Sequence, residues 1–94
     1  MALNFEIFYH PRVVKDDIPD LTSIWQNKIR FAIEEKLTVA PDFYGKPLRR
    51  SLKGYRKLRV SDYRVVFRIQ RNKVHILAIM HRSVIYEKIS RRTD

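Results

Sequence analysis

The residues best suited to chemistry are cationic side chains that alternate along two neighbouring segments. Tyr55, Lys57 and Arg59 are spaced two apart, and residues two apart in an extended strand share one face. The next segment continues the pattern with Arg64 and Arg68. Cations on one face of a sheet repel one another unless an anion lies against them. A row of phosphates fits best, so the pattern predicts a nucleic acid as partner.

A second set of reactive side chains, His81, Arg82 and Tyr86, follows the last apolar segment. Metal-free RNA cleavage needs a base for the ribose 2′-OH, cations at the scissile phosphate and a proton for the 5′-oxygen. Arg82 and Tyr86 share a face if their segment is helical. His81 is the residue type that exchanges protons most readily near neutral pH, and hydrogen bonding to a backbone carbonyl is its structural alternative.

Several other polar residues have plainer interpretations. Arg59 pairs with Asp62 across the intervening turn or binds phosphate, and the two interpretations are equally good. His10 before Pro11 is expected to cap a helix, and His75 to pack within a strand. Arg91 and Arg92 are predicted to form a solvated tail that adds nonspecific attraction for phosphate.

Length and composition predict one domain over residues 1–94. With 45% apolar residues the chain can form one modest core. No stretch approaches the ~20 apolar residues of a membrane span, and no basic region followed by an apolar run opens the sequence. There is no cysteine, and the three histidines lack metal-ligand spacing. We therefore expect a soluble intracellular protein without cofactor, metal or membrane association.

The net charge of +10 is unevenly distributed. Residues 1–44 contain five Lys and Arg against seven Asp and Glu, whereas residues 45–94 contain fifteen against three. The excess falls on segments rich in Val, Ile and Tyr, which is untypical of a disordered basic tail. A nearly neutral scaffold joined to a basic working surface is the predicted arrangement.

Hydrophobic periodicity predicts the N-terminal elements. Alternation predicts a strand over residues 3–9, and Pro11 predicts a short helical piece over 11–15. An apolar stripe at three- and four-residue steps, which includes Trp25, predicts a helix over 21–37 with Asp20 as its N-cap. Residues 38–53, punctuated by Pro and Gly, are expected to be a connection.

The C-terminal half is predicted to be mostly strand. Strands are expected at 54–60, 63–70 and 73–80, with Asn72 taking positive φ in the last hairpin. The last strand is almost entirely apolar and should be central. Residues 81–92 should leave the sheet as a turn or short helix. The fold class is α+β: a twisted, mainly antiparallel four-stranded sheet, helices on one face and a basic opposite face.

Several segments of the sequence together resemble a known protein family. The segments that carry the resemblance are Lys46-Pro47-Leu48, Leu52-Lys53-Gly54, Leu58-Arg59-Val60, Asp62-Tyr63-Arg64-Val65-Val66-Phe67 and Ile79-Met80-His81-Arg82-Ser83-Val84-Ile85-Tyr86. Their order and spacing resemble the RelE/ParE superfamily of bacterial toxin–antitoxin toxins. The RelE branch cuts messenger RNA in the ribosomal decoding site, whereas the ParE branch inhibits DNA gyrase without nuclease activity. The shared scaffold does not choose between them.

The resemblance implies a site around the substrate phosphate. RelE-type enzymes place sheet lysines and arginines and a C-terminal tyrosine there, although Tyr55 here aligns with one of those lysines. The predicted catalytic residues are Lys57, Arg64, His81, Arg82 and Tyr86. The predicted RNA-binding residues are Lys53, Tyr55, Arg56, Arg59 and Arg68. Arg64 and Arg82 are the preferred phosphate clamps, because a guanidinium meets two phosphate oxygens at once.

Three functions are consistent with these residues. Acid–base groups beside paired arginines favour a RelE-like endoribonuclease (an mRNA interferase), and a gyrase-directed ParE-like inhibitor is the alternative. A basic RNA-binding module fits less well, because only Tyr55 and Tyr86 are placed to stack bases. The expected partners are a cognate acidic antitoxin, messenger RNA and the ribosome, in the bacterial cytoplasm. Codon preference and oligomeric state are left open.

Overall fold

The computed structural model of the chain describes residues 4–92, in which five strands form one mixed sheet. The strands are β1 (Glu6–Tyr9), β2 (Lys46–Pro47), β3 (Arg56–Val60), β4 (Tyr63–Gln70) and β5 (Lys73–His81). Their order is β1-β5-β4-β3-β2, with β1 parallel to β5 and the other pairs antiparallel. The predicted α+β class with a mainly antiparallel sheet is confirmed. Leu3, the predicted start of β1, lies outside the described residues.

Two details of the sheet differ from the prediction. The predicted connection contains β2, whose two residues pair with β3 and add a fifth strand. In the hairpin between β4 and β5, Arg71 and not Asn72 takes positive φ (58°). Positive φ at the first of the two turn residues is a feature of type II′ turns, whose twist suits antiparallel strands.

The main helix matches the predicted span of 21–37 closely. It comprises α1 (Ser23–Ala32) and a π-helical continuation, Ile33–Leu37. The N-cap is Thr22, whose hydroxyl accepts a hydrogen bond from the Trp25 N–H at 3.5 Å. The prediction of Asp20 as the N-cap was wrong, because the Leu21 N–H is bonded to Ile18 in the preceding turn and Leu21 is buried there.

Smaller helical elements lie on both sides of this helix in the chain. A π-helical turn, Val13–Asp17, follows β1. Just before this turn, the His10 ring nitrogen Nδ1 accepts a hydrogen bond from the Arg12 N–H at 3.0 Å. The helix α2 (Pro41–Tyr44) and a 3₁₀ turn, Arg50–Leu52, lead into β3. The helix α3 (Ile85–Ile89) follows β5. Within residues 4–92 no helix has the length and apolar character to cross a membrane.

Each face of the sheet has its own hydrophobic core. On the first face the buried side of α1 and its continuation packs against β3, β4 and β5. On the second face Ile85 and Ile89 of α3 are fully buried against Val66, Ala78 and Met80. The expectation that all helices lie on one face was therefore wrong, since α3 has two apolar residues that only the second face accommodates.

A buried ion pair fixes the chain beyond α3. Arg92 donates from both Nη atoms to the Asp17 carboxylate, at 2.7 Å each, and from Nη1 to the Leu77 carbonyl at 3.2 Å. Asp17 also accepts the Ile79 N–H at 2.9 Å. Arg92 is thus not part of a solvated tail as predicted. Arg92 and Asp17 lie over the part of β5 that extends beyond β1. There they bond the Leu77 carbonyl and the Ile79 N–H, which have no neighbouring β1 residue to pair with.

Candidate nucleic-acid interface

The second face of the sheet carries the predicted row of cations. In the register of β3 with β4, Lys57 lies opposite Val66 and Arg59 opposite Arg64. Val66 belongs to the core beneath α3, so these neighbours face the same side. The first face receives Leu58 and Val65 instead. We name the cationic residues of the second face and of its rim the basic surface: Lys57, Arg59, Arg64 and Arg82.

The turn between β3 and β4 gathers three arginines at one end of the sheet. Arg64 Nη1 donates to the carbonyls of Ser61 and Tyr63, at 2.9 Å each. The Arg82 N–H donates to the Asp62 carbonyl at 2.8 Å, which ties the chain after β5 to the same turn. Arg59 is the cross-strand neighbour of Arg64. Backbone pairing therefore brings side chains distant in sequence to one exposed corner.

Asp62 is the acidic residue of the turn itself. Its Oδ1 lies 3.6 Å from Arg82 Nε, and both side chains are 63% exposed. An ion pair this long and solvated is weak. Asp62 thus pairs with Arg82 and not with Arg59, the partner that sequence proximity suggested. Besides Asp62, residues 45–92 contain Glu87 as their only other acidic residue, so this part of the chain supplies far more cations than anions.

Tyr86 reaches the basic surface from α3. Burial of Ile85 and Ile89 fixes α3 on the sheet, and Tyr86 remains 42% exposed beside it. Lys57 Nζ lies 5.8 Å from the centre of the Tyr86 ring, which is cation–π distance. A phenol and an ammonium group therefore meet where the arginines of the turn can hold a phosphate.

Lys46 is a cation that the sequence analysis missed. It is exposed in β2 and pairs in register with Lys57, so it extends the basic surface by one strand. The two-residue strand has no periodicity to detect. The motif Lys46-Pro47-Leu48 was the one available signal.

His81 does not lie on the basic surface. It pairs with Tyr63, and the two rings meet edge to face with centroids 5.6 Å apart. Tyr63 in turn contacts Trp25 of α1, at 4.9 Å between centroids. The His81 Nδ1 accepts the Ser83 N–H at 3.2 Å and lies 2.8 Å from the Ser83 hydroxyl. The imidazole therefore faces the side of the sheet that carries α1.

The remaining predicted RNA-binding residues are dispersed. Arg56 Nη1 donates to the carbonyls of Gly45 and Asp42, at 2.9 and 3.2 Å, and so holds α2 on the first face. Arg56 shares the face of β3 that carries Leu58, and for this reason it is not part of the basic surface. Lys53 is exposed in the loop before β3. Tyr55 and Arg68 lie on the second face, at the end away from the turn.

Within residues 4–92 no group of three or more histidine, aspartate and glutamate side chains is arranged to hold a metal ion. Among the described residues of the basic surface, Lys57, Arg59, Arg64 and Arg82 are hydrogen-bond donors, and the phenol of Tyr86 and the carboxylate of Asp62 lie beside them. Such an arrangement can bind an anion that carries several oxygens. Lys57 and Tyr86 are the groups at this position that can also exchange a proton.

Comparison with known proteins agrees with this architecture. Residues 7–86 match the family model described as the ParE toxin of the type II toxin–antitoxin system parDE. No curated protein matches the sequence. Among solved structures, the toxin–antitoxin complex RelBE2 from Mycobacterium tuberculosis contains a chain with 26% identity and a TM-score of 0.79, covering 88% of this chain and 97% of that one.

Two further structures show the same fold at lower identity. The RelB–RelE antitoxin–toxin complex from Methanococcus jannaschii has 20% identity and a TM-score of 0.66, covering 86% of this chain and 96% of that one. A mutant of the E. coli toxin RelE in the free state has 16% identity and a TM-score of 0.64, covering both chains completely. The resemblance found in the sequence motifs is thereby confirmed. The chain belongs to the ParE toxin family of type II toxin–antitoxin systems, within the RelE/ParE superfamily.

Proposed function

We propose that this toxin is a metal-independent endoribonuclease that cleaves messenger RNA by attack of the ribose 2′-OH on the adjacent phosphate. The observation that carries the proposal is the approach of Lys57 to Tyr86, 5.8 Å from nitrogen to ring centre, on a face where Arg59 and Arg64 are neighbours. A toxin that only binds a protein has no need of proton-transferring groups beside a phosphate clamp.

Each group has a role in that reaction. Arg64 and Arg82 bind the scissile phosphate and stabilise the charge that develops on its oxygens. Lys57 and Tyr86 exchange protons with the 2′-OH and the 5′-oxygen, and the exposed Tyr86 ring can also stack on a base. His81 has no role here, because its ring faces Tyr63 on the other side of the sheet.

Dependence on the ribosome is part of the proposal. The basic surface is small, and Arg59 and Arg82 are exposed while Lys57 and Arg64 are partly exposed. A free RNA strand would therefore bind weakly and without fixed geometry. Ribosomal RNA would supply the missing contacts and hold the messenger strand in a conformation suited to in-line attack.

The proposed protein partner is a cognate antitoxin. Two of the similar structures are toxin–antitoxin complexes, and a net charge of +10 attracts an acidic segment. We expect part of the antitoxin to be disordered when free and to fold on the toxin, covering Arg64 or Arg82. Binding should then weaken as salt is raised.

A second candidate function is inhibition of DNA gyrase without catalysis. It is favoured by one observation, the match of residues 7–86 to the ParE toxin family. Under this alternative the basic surface binds an acidic or DNA-covered region of gyrase, and the Lys57–Tyr86 contact is only structural.

Primer extension after induction of the toxin without its antitoxin separates the two functions. The nuclease predicts growth arrest with new messenger RNA ends inside codons. Intact transcripts together with trapped gyrase–DNA breaks would assign the protein to the alternative. The Arg82→Ala variant should abolish the new ends, whereas Arg71→Ala, which removes an exposed arginine at the distant β4–β5 turn, should leave them unchanged.

A further inference from the structure

The second face of the sheet carries another set of aligned side chains, at the end away from the Ser61–Asp62 turn. Arg68 of β4 pairs with His75 of β5, and His75 pairs with Phe8 of β1. Tyr55 precedes Arg56, which pairs with Phe67, and therefore comes opposite Arg68. We name these four residues the aromatic row: Tyr55, Arg68, His75 and Phe8.

The rings of the aromatic row are partly open to solvent. The Phe8 ring stacks on the His75 ring with centroids 5.5 Å apart and planes 22° apart, yet Phe8 remains 41% exposed. Lys73 Nζ lies 5.6 Å from the centre of the same ring. The His75 Nε2 is buried and has no hydrogen-bond partner among the described residues, although buried polar atoms are usually paired.

A cavity of about 310 Å³ opens beside the row. Its lining includes all four members of the row, together with His10 and Arg92, and contains no acidic side chain. The charge of Arg92 is already neutralised by Asp17. The guanidinium of Arg68, which is exposed, is therefore the unneutralised charge at the cavity, and the cavity favours an anionic ligand.

The chemistry of the row selects among anionic ligands. Aromatic rings and an arginine plane in line, with further cations nearby, are the elements that bind unpaired bases and their phosphates. An aliphatic acid would not use the rings. An acidic peptide would use the charge but would need few flat surfaces.

We propose that the aromatic row is a subsite for one nucleotide of single-stranded RNA, whose base stacks at Phe8 and whose phosphate contacts Arg68. That the ligand is RNA rests on the proposed function. Arg64 and Arg68 lie four residues apart on β4, so about 13 Å of strand separates the subsite from the phosphate clamp. One RNA strand can occupy both, and the subsite would then bind a nucleotide flanking the cleaved bond.

The test uses the full-length toxin and a fully 2′-O-methylated single-stranded oligonucleotide, which binds but cannot be cleaved. Phe8→Leu keeps an apolar side chain on His75 and removes the ring, so affinity at fixed salt should fall about fivefold or more. Arg68→Gln should also weaken binding. Arg71→Gln, with the same loss of charge in the adjacent turn, should have a clearly smaller effect. Chemical-shift changes in NMR spectra should include Phe8 and His75.

Wild-type affinity in Phe8→Leu and Arg68→Gln, or shift changes confined to Lys57, Arg64 and Tyr86, would overturn the subsite. So would a loss of antitoxin affinity in these variants without a loss of RNA affinity, because the row would then be a protein contact. Complete absence of oligonucleotide binding would also overturn it. Unchanged melting temperatures establish that the variants are folded.

The outcome is separable from that of the proposed function. If the toxin binds the oligonucleotide at the aromatic row but leaves transcripts intact, the proposed nuclease function is rejected and the subsite is retained. Messenger cleavage by a toxin whose Phe8→Leu variant binds the oligonucleotide normally would reject only the subsite.

Discussion

Lys57 Nζ lies 5.8 Å from the centre of the Tyr86 ring, although the two residues belong to β3 and to α3. The contact exists because α3 is fixed on the second face by Ile85 and Ile89, which are fully buried on either side of Tyr86. The proposed chemistry therefore depends on how a five-residue helix packs and on the tyrosine that this helix leaves exposed.

Replacement of Tyr86 by phenylalanine should separate stacking from proton transfer. Tyr86→Phe keeps the ring beside Lys57 and removes the hydroxyl, so RNA binding should persist while cleavage slows by about 100-fold or more. Single-turnover cleavage of messenger RNA on ribosomes measures this. Tyr44→Phe is a matched control, since the Tyr44 ring of α2 lies 5.6 Å from Nζ of Lys36, in a similar pair away from the basic surface. Equal rates for wild type and Tyr86→Phe would mean that the hydroxyl takes no part.

His81 should be dispensable for cleavage. Because its ring faces Tyr63 and its Nδ1 is bound by Ser83, His81→Gln should change the cleavage rate by no more than a few-fold in the same assay. If the cleavage rate of His81→Gln fell as far as that of Tyr86→Phe, His81 would take part in the reaction. The chain around the end of β5 would then have to rearrange when RNA binds.

The exposed pair of Arg82 and Asp62 should matter little for folding. Both Arg82→Ala and Asp62→Asn should change the free energy of unfolding by about 1 kcal/mol or less, because the pair is long and solvated. Urea titration measures this change. Growth arrest should be lost in Arg82→Ala and kept in Asp62→Asn, which leaves the arginine free to bind phosphate. If Arg82→Ala unfolds the protein, Arg82 is a structural residue and the clamp must lie elsewhere.

The buried pair of Asp17 and Arg92 should behave in the opposite way. Asp17→Ala leaves Arg92 without its anion in a buried place and should cost about 3–5 kcal/mol. Asp16→Ala breaks the neighbouring exposed pair with Arg12 and should leave the urea midpoint almost unchanged, because water screens that pair. The double variant Asp17→Leu with Arg92→Met should recover part of the loss in urea titrations. No recovery would indicate that the hydrogen bonds to Leu77 and Ile79 outweigh the charge pairing.

The two glycines should respond differently to side chains. A Cβ on Gly45 would overlap the Phe67 ring and approach the Pro41 carbonyl, so Gly45→Ala should cost about 1–3 kcal/mol through overpacking. Gly54 has free space but a φ of 98°, so the cost of Gly54→Ala, about 1–2 kcal/mol, comes from the backbone. Asparagine tolerates positive φ, and Gly54→Asn should therefore be milder than Gly54→Ala, whereas Gly45→Asn should be worse than Gly45→Ala in thermal unfolding. The reverse order would contradict both reasons.

The sequence by itself determined the local structure and the residues that share a face. Alternation in β3 and β4 correctly assigned Lys57 and Arg59 to one side and Leu58 to the other, because the side-chain period of a strand is two whatever the strand packs against. The apolar stripe located the long helix for the same local reason.

Tertiary structure alone decided which distant residues meet. No periodicity links Asp17 with Arg92, Lys46 with Lys57, or Phe8 with His75. The last two contacts depend on strand order and register, and the first depends on how the turn after β1 and the chain beyond α3 meet over β5. His81 was assigned to the site because it directly follows the strand predicted over residues 73–80, whereas it is the last residue of β5. A bulge opposite Val66 and Phe67 adds a residue to β5, and its final register turns His81 toward Tyr63. A shift of one residue reverses a side chain's face, so the composition of this site depended on pairings that only the folded chain specifies.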